Sequence, residues 1–336
     1  MRILATVGLL FVCIPAIAAE PTLTRYSFTE PHMGTRFRVV VYSADEATAK
    51  KGAKEAFARV ATLNAIMSDY LSTSELMRLC AKAGGPAVKV SDELLTVLVR
   101  ARKVSQESEG AFDVTVGPVV KLWREARKTR ELPDAKKLEA ARALVGYKLM
   151  EIDEKAKTVR LLKPGMQLDL GGIAKGYAAD EMLRVLARHG LTRALVAAGG
   201  DIAVADAPPD KRGWTVAIAP VDAKEEGPRY LTLRRAAVST SGDAKQHVEI
   251  GGKRYSHIVD PRTGLGLVGR MSATVVAPDG LTSDSLTKVV AVLGAKKGFP
   301  ILERYKGVSG RLVERIDDET KVATSKAFPA LREGGK

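Results

Sequence analysis

The spacing of apolar residues predicts a mixture of strands and helices along this chain. Polar and apolar residues alternate over residues 35–43, as is typical of a strand with one buried face. Apolar residues three and four positions apart predict helices over 44–67, after Ser91, which would cap its helix, and within PDAKKLEAARALVG. Short apolar runs predict a hairpin around Glu154-Lys155 and further strands at ALVAAGG, WTVAIAP, YLTLRRAAVSTS, GKRYSHIVD and SATVVAP.

The order of these elements indicates the fold class. A last helix is predicted over 281–294, and strands and helices follow each other without the strict alternation that a doubly wound parallel sheet requires. No internal repeat or low-complexity segment interrupts the order. The sequence therefore predicts an α+β fold with mixed sheets and packed helices.

The stretch LDLGGIAKGYAADEMLRVL, residues 168–186, predicts a strand end, a tight turn and a helix that Gly190 terminates. Gly171 and Gly172 let the chain turn while the first helical N–H groups stay uncovered, and such groups favour an anion. Lys175 lies near the helix N-terminus, where a cation is unfavourable for the helix itself and is better explained by a bound phosphate. A tight turn with a solvated lysine is the alternative interpretation.

The N-terminus has the pattern of a secretory signal peptide, with one arginine, an apolar run and then small residues. The run is too short to span a bilayer, which predicts cleavage near Ala18 or Ala19 and no membrane span afterwards. We therefore expect a signal peptide over residues 1–19 and one domain over residues 20–330.

Composition narrows the classes of partner. The formal net charge of +14 could indicate nucleic acid or an anionic membrane surface. The basic residues, however, are interspersed with acidic ones on predicted helices and lack aromatic neighbours. Solvated helix faces and an anionic small ligand explain the charge better, so we expect no nucleic-acid partner. If Cys13 leaves with the signal peptide, Cys80 alone remains and no internal disulfide can form.

Candidate chemistry lies where predicted strands or helices end. Asp113, His257 and Asp284 are the titratable residues of interest at these places. Each alone has an ordinary structural explanation: a turn aspartate, a satisfied interior histidine and an acidic residue at a helix start. Their order along the chain changes this interpretation.

In chain order, these stretches resemble the ApbE family of FAD:protein FMN transferases. The resemblance covers His32 to about Lys326. The motifs that carry it are MGT, NAIMSDYLSTSELMRL, AFDVTVGPVVKLW, LDLGGIAKGYAAD, VAAGGDI, STSGD, YSHIVDPRTG and SATVVAPDGLTSDSLTKVVAVLG. It implies the family's T-fold-like α+β architecture with an FAD cleft between subdomains.

The resemblance also implies an activity, a location and a set of residues. Members move FMN from FAD onto a threonine or serine hydroxyl of an acceptor protein, with a divalent cation, and release AMP. A periplasmic enzyme that acts on an exported or membrane-bound flavoprotein, such as a respiratory redox subunit, is therefore expected. His257 and Asp284 are the implied catalytic residues. The implied FAD site is lined by Met33, Tyr70, Ala111, Phe112, Asp113, Asp169, Lys175 and Ile258.

The implied metal site departs from the family pattern. The resemblance places Mg²⁺, which prefers hard oxygen ligands, near the backbone carbonyl of Gly172, Asp284 and a hydroxyl. The family motif reads, in outline, Ala-Asp-Ala-x-x-Thr, but Lys288 stands at the threonine position here. Its ammonium would repel a divalent ion or replace it, while Thr287 could supply an oxygen one position earlier. An ordinary i,i+4 ion pair between Asp284 and Lys288 is the structural alternative.

Two other functions therefore stay open beside the transferase. A periplasmic protein could bind FAD without transfer if Lys288 displaces the metal. A metal-dependent FAD pyrophosphatase would instead use water as the acceptor and give FMN and AMP.

Overall fold

The computed structural model describes residues 22–218, 221, 229–242, 246–316 and 319–333. The predicted signal peptide at 1–19 lies outside these residues. Within the described ranges, no helix is both long enough and apolar enough to cross a bilayer.

Helices and strands alternate irregularly along the chain, as the sequence predicts for an α+β fold. The helices are α1 (Glu46–Met67), α2 (Glu75–Cys80), α3 (Asp92–Glu107), α4 (Gly117–Thr129), α5 (Ala135–Arg142), α6 (Ala174–Arg188) and α7 (Gly280–Leu302). The strands are β1 (Thr24–His32), β2 (Thr35–Ser43), β3 (Val88–Lys89), β4 (Met150–Asp153), β5 (Thr158–Leu161), β6 (Ala194–Ala198), β7 (Asp201–Val204), β8 (Trp214–Ile218), β9 (Arg229–Leu233), β10 (Ala236–Gly242), β11 (His247–Ile250), β12 (Lys253–Asp260), β13 (Leu265–Val268), β14 (Arg270–Ala277), β15 (Ser309–Ile316), β16 (Glu319–Thr324) and β17 (Arg332–Glu333). Short 3₁₀ turns lie at Val114–Val116 and Tyr147–Leu149.

A large antiparallel sheet organises the protein. Eight of the described strands form it in the order β1-β2-β6-β7-β10-β14-β15-β16. Smaller sheets, again counted over the described residues, have the orders β3-β5-β4, β11-β12-β13 and β17-β9-β8. Both faces of the large sheet are covered, so its strands carry apolar residues in both directions rather than on one face.

The main core lies between the large sheet and the helices. Val39 and Val41 of β2 join this core together with buried residues of α1, α6 and α7. Val40, which points to the opposite face, packs with Trp214 of β8 and Leu231 of β9 in a second core. The sheet therefore separates a helical layer from the small β8–β9 sheet.

Most of the predicted elements are confirmed. Asp45 caps α1 by accepting a hydrogen bond from Thr48 N at 2.7 Å, and Ser91 caps α3 as predicted. The predicted hairpin is β4–β5. The single strand expected over YLTLRRAAVSTS is wrong, since it is two strands of different sheets that turn at Arg235, whose φ is 45°. The last helix continues beyond its predicted end, across a non-helical Gly294, to Leu302.

Helices α6 and α7 cross with their backbones in direct contact. A Cβ added to Gly176 would lie 2.0 Å from the carbonyl oxygen of Gly280, so no side chain fits at this crossing. One turn further along α6, Asp180 accepts hydrogen bonds from Gly280 N at 2.7 Å and Leu281 N at 2.9 Å. Asp279 accepts another from Thr282 N at 2.8 Å. Asp180 therefore fixes the start of α7 against α6, while Asp279 caps α7 from its own chain end.

This capping arrangement predicts a pH effect on stability. Burial raises the pKa of the Asp180 carboxyl from 3.8 to about 6, although the N–H groups of Gly280 and Leu281 oppose the shift. Because the pKa of Asp180 is higher in the folded than in the unfolded protein, its protonated carboxyl contributes about 3 kcal/mol to the free energy of unfolding. This contribution is present below about pH 4 and is lost as the pH rises to about 6. Chemical denaturation of wild type and Asp180→Asn measures it. The wild-type advantage should shrink as pH rises; growth of that advantage with pH would contradict the assignment.

Candidate active site

The centre of the candidate site is the carboxylate of Asp284, in the second turn of α7. This side chain is fully buried. Its Oδ2 accepts a hydrogen bond from Gly176 N, in the first turn of α6, at 3.1 Å. Its Oδ1 is bonded to the ammonium of Lys288. The N-terminus of α6 therefore binds an anion, as its glycine turn predicts, but at Gly176 that anion is a side chain of the protein itself.

Lys175 forms the second positive charge at this carboxylate. Its Nζ lies 3.1 Å from Asp201 Oδ2 and 3.8 Å from Asp284 Oδ2, and it donates to Gly171 O at 3.1 Å. The side chain is only 25% exposed, so the solvated-lysine interpretation is wrong. Burial alone would lower the pKa of Lys175, but the charges of Asp201 and Asp284 outweigh it and raise that pKa. Lys175 is therefore protonated at neutral pH.

Lys288 lies between Gly172 and Asp284. A Cβ added to Gly172 would be 3.4 Å from Lys288 Cε and 3.4 Å from Phe112 Cε2. The Lys288 side chain is 17% exposed and ends on the buried carboxylate. Burial would raise the pKa of Asp284, but the charges of Lys175 and Lys288 lower it below its ordinary value. The carboxylate is thus ionised between two ammonium groups.

Thr287 faces the large sheet. Its hydroxyl donates to the backbone carbonyl of Asp284 at 2.7 Å and lies 2.8 Å from the Ser241 hydroxyl of β10. Each residue along an α-helix is rotated by about 100° from the last, which turns Thr287 away from the direction of Lys288. Its oxygen is therefore engaged in packing between α7 and β10.

These side chains, as arranged, do not fit the Mg²⁺ that the resemblance implies. Mg²⁺ requires near-octahedral oxygen coordination with several waters. Lys288 occupies Oδ1 of Asp284, Gly176 N occupies Oδ2, and the Thr287 hydroxyl has its own partners. Over the described ranges, no group of three or more His, Cys, Asp or Glu side chains has the arrangement of a metal site.

Arg124 of α4 connects two further acidic residues with an exposed aromatic ring. Its guanidinium lies 2.8 Å from Asp169 Oδ2 and 2.6 Å from Asp69 Oδ2. It also stacks on the Tyr70 ring at 4.3 Å from the centroid, a cation–π contact. Tyr70 is 75% exposed, so its ring offers a flat apolar surface that Arg124 holds from one side. Burial and the charge of Asp69 raise the pKa of Asp169, against the opposing charge of Arg124.

Arg124 is one residue that the sequence interpretation missed. The helix that carries it, α4, was not predicted, although Pro118 at its first turn is a typical helix start. Val119, Trp123 and Ala126 are buried on one face at helical spacing. These two signals together predict the helix, and with it an arginine on the face opposite its buried residues.

Asp113 has a local structural role. Its Oδ1 accepts from Thr115 N at 2.9 Å and Thr115 Oγ1 at 2.7 Å, and its Oδ2 accepts from Tyr147 N at 2.6 Å. Burial raises the pKa of this carboxyl despite these hydrogen bonds. The turn explanation accounts for the two contacts with Thr115, and the third joins Asp113 to the 3₁₀ turn at Tyr147. Ala111 and Phe112, beside it, are buried, and Phe112 contacts the Gly172 turn as described above.

His257 of β12 is neutral at pH 7. Burial lowers the pKa of His257 to about 4, and the positive charge of Lys288 lowers it further. The hydrogen bond to the Gln246 carbonyl acts in the opposite direction. Nδ1 lies 3.1 Å from that carbonyl oxygen, which can only accept, so Nδ1 carries the proton and Nε2 has a free lone pair. Ile258, the next residue, belongs to the main core, and its N–H donates to Ser256 Oγ at 3.1 Å.

Met33 lies in the turn between β1 and β2 with a positive φ of 46°. It packs, partly buried, against the main core. Thr35, two residues later, lies beside the turn that precedes Asp201. A Cβ added to Gly199 in that turn would be 3.1 Å from Thr35 Oγ1. The β1–β2 turn is therefore next to the segment that holds Lys175.

The structure thus brings together many of the predicted residues but not all. Gly172, Lys175, Asp284, Lys288 and Phe112 are linked through direct contacts. Asp169 joins Tyr70 through Arg124. Thr287 and Ile258 point into packed regions, and Asp113 is engaged by Thr115 and Tyr147.

Comparison with known proteins agrees with the family resemblance found in the sequence. The model of the ApbE family matches residues 33–312. An FAD:protein FMN transferase of Klebsiella pneumoniae (strain 342) is 29% identical over 324 residues, which cover 95% of this chain and 92% of the relative. One of Treponema pallidum (strain Nichols) is 32% identical over 304 residues, covering 86% and 84% respectively. The solved flavin transferase ApbE from Vibrio cholerae superposes with a TM-score of 0.82 at 30% identity, covering 91% of this chain and 99% of that one. The apo form of the Pseudomonas stutzeri flavinyl transferase ApbE gives a TM-score of 0.79 at 30% identity and covers 91% and 96%.

Proposed function

Because this chain belongs to the ApbE family, we propose that it is an FAD:protein FMN transferase whose substrates are FAD and an acceptor protein. The α6–α7 crossing is the part of the structure that best supports this proposal. There, Lys175 and Lys288 flank the buried Asp284 beside the glycine turn. Such an array suits the pyrophosphate of FAD, since phosphoryl transfer depends mainly on positioning and on neutralising charge.

The reaction exchanges the phosphoanhydride bond of FAD for a phosphodiester bond to the acceptor protein. The acceptor is a threonine or serine hydroxyl, whose oxygen attacks the phosphorus on the FMN side of the pyrophosphate. A new O–P bond forms, the bond from that phosphorus to the bridging oxygen breaks, and AMP leaves with the bonding electrons. The hydroxyl proton passes to a base. The products are AMP and an acceptor with FMN in ester linkage.

The residues of this chain have distinct roles in that proposal. Lys175 and Lys288 supply positive charge to the phosphates, and Asp284 holds both ammonium groups in place. His257 is the candidate base, because it is neutral and its Nε2 lone pair is free. Tyr70, held by Arg124, offers a face for the isoalloxazine ring, with Met33 as a second apolar contact. Mg²⁺ has no role in this proposal, because the side chains as arranged do not fit it.

The proposed setting is the periplasm. The signal-peptide pattern at residues 1–19 supports export, and the acceptor would then be an exported or membrane-bound flavoprotein, such as a respiratory redox subunit. Cell fractionation with an antibody against the mature chain tests this location.

The activity is tested by incubating the purified protein with FAD and an acceptor domain that carries one threonine in its modification segment. Intact-protein mass spectrometry should show the acceptor heavier by FMN less one water, with one AMP released per modified acceptor. The matched control is the same acceptor with that threonine replaced by valine, which should stay unmodified. Free FMN and AMP with an unmodified acceptor would instead identify a pyrophosphatase, and intact bound FAD would identify a carrier.

A further inference from the structure

We propose that Lys288 replaces the divalent cation at this site, so that the protein binds FAD through a tethered ammonium and without a metal. This inference rests on the proposed function, because it concerns the charge that faces the pyrophosphate of FAD. Its experiment nevertheless measures binding, and can therefore fail independently of the transfer activity.

The charges of the cluster already balance. The ion pairs at the α6–α7 crossing join two carboxylates, Asp201 and Asp284, to two ammonium groups, Lys175 and Lys288. Their formal sum is zero. A divalent ion added to this largely buried group would leave an excess of two positive charges, which a low-dielectric surrounding disfavours.

The space is also occupied. Lys288 runs past Gly172, with Cε and Cγ at 3.4 and 3.6 Å from the position of an added Cβ, and ends on Oδ1 of Asp284. Gly172 and Asp284 are the same two residues between which the family resemblance places the cation. The ammonium is therefore located where the metal charge would be, and a metal would have to displace it from the carboxylate.

An ordinary helix ion pair does not account for this arrangement. Pairs at i,i+4 on a helix surface have both ends in water. Here Asp284 is fully buried, and it also receives the Gly176 N–H and the charge of Lys175. The Lys288 side chain is 17% exposed. Its ammonium has three N–H donors, so it can bond the carboxylate and still face a phosphate oxygen.

The test compares wild type with three variants in the full mature chain. Lys288→Thr removes the ammonium and introduces a hydroxyl, and Lys288→Met removes the charge while keeping an apolar stem. Lys297→Thr is the matched control, since it removes an exposed lysine further along α7. Isothermal titration calorimetry measures the binding of Mg²⁺ alone, and then of FAD in buffers that contain either EDTA or Mg²⁺.

Wild type and Lys297→Thr should show no heat of Mg²⁺ binding, and their FAD affinities in the two buffers should agree within about twofold. Lys288→Thr should bind Mg²⁺, and its FAD affinity in EDTA should fall by about tenfold or more and recover with Mg²⁺, as expected for loss of a charge-assisted bond. Lys288→Met should bind FAD weakly in both buffers. If the two Lys288 variants do not fold, the wild-type titrations alone decide the question.

Wild-type FAD binding that disappears in EDTA and returns with Mg²⁺ would overturn the inference. Superimposable Mg²⁺ curves for wild type and Lys288→Thr, both with clear binding, would do so as well. Absence of FAD binding to wild type in either buffer is a different result, because it would overturn the proposed function and this inference with it.

Discussion

Replacing Asp284 by alanine is expected to slow FMN transfer in a single turnover by about 1,000-fold or more, because the group that positions both ammonium charges is lost. FAD affinity should change by less than about tenfold, since Lys175 and Lys288 remain to attract the pyrophosphate. Rapid-quench measurement of AMP release gives the rate, and fluorescence titration gives the affinity. The Asp284 carboxylate is therefore expected to stabilise the transition state much more than the bound substrate.

The Asp284 prediction needs a control for folding. Removing one partner of a buried ion pair costs about 3–5 kcal/mol, so the rates must be measured where thermal denaturation shows the variant to be folded. Asp284→Asn keeps the side-chain shape and an acceptor for Gly176 N while removing the charge. Its rate should lie between those of wild type and Asp284→Ala. An unchanged rate of AMP release in a folded Asp284→Ala protein would remove this carboxylate from the mechanism.

Replacing Gly176 by alanine is expected to destabilise the protein by about 3 kcal/mol or more, because backbone has to move to accept the new atom. The added Cβ would lie 2.0 Å from Gly280 O and 2.8 Å from the Cβ of Asp284. Separation of α6 from α7 would also break the bond from Gly176 N to Asp284, so transfer should be lost together with stability.

The control for Gly176 is an exchange of the same two residue types on the exposed side of α6. Ala187→Gly should cost only about 1 kcal/mol, the ordinary helix-propensity difference. Urea denaturation of both variants measures the free energies of unfolding. Equal costs for Gly176→Ala and Ala187→Gly would show that the crossing tolerates a side chain and would contradict the packing described for it.

The elements that the sequence predicts well are those whose signals are local. The apolar spacing after Gly172 defines α6, and the side-chain caps at Asp45 and Ser91 define where α1 and α3 begin. The split of YLTLRRAAVSTS into β9 and β10 depends instead on partners in two different sheets. No local pattern distinguishes that arrangement from one long strand.

The site itself depends on contacts between distant parts of the chain. The bond from Gly176 N to Asp284 spans 108 residues, and the bond from Gly280 N to Asp180 spans 100. The sequence places Lys288 four residues after Asp284, but burial of the carboxylate follows only once α6 crosses α7. The N-terminus of α6 was expected to face a bound phosphate, and in the structure the Asp284 carboxylate accepts from Gly176 N there. Nothing in the spacing, however, indicated that Asp284 would reach Gly176 N.

Metal-independent transfer is tested most directly by a single turnover of FMN transfer from FAD to the threonine of an acceptor domain, run in EDTA and in Mg²⁺. Modified acceptor is quantified by mass spectrometry and AMP by chromatography. We expect one AMP per modified acceptor and the same rate in both buffers within about twofold, because Lys288 supplies the charge at the pyrophosphate. An unmodified acceptor in both buffers, or transfer that occurs in Mg²⁺ and is absent in EDTA, would contradict it.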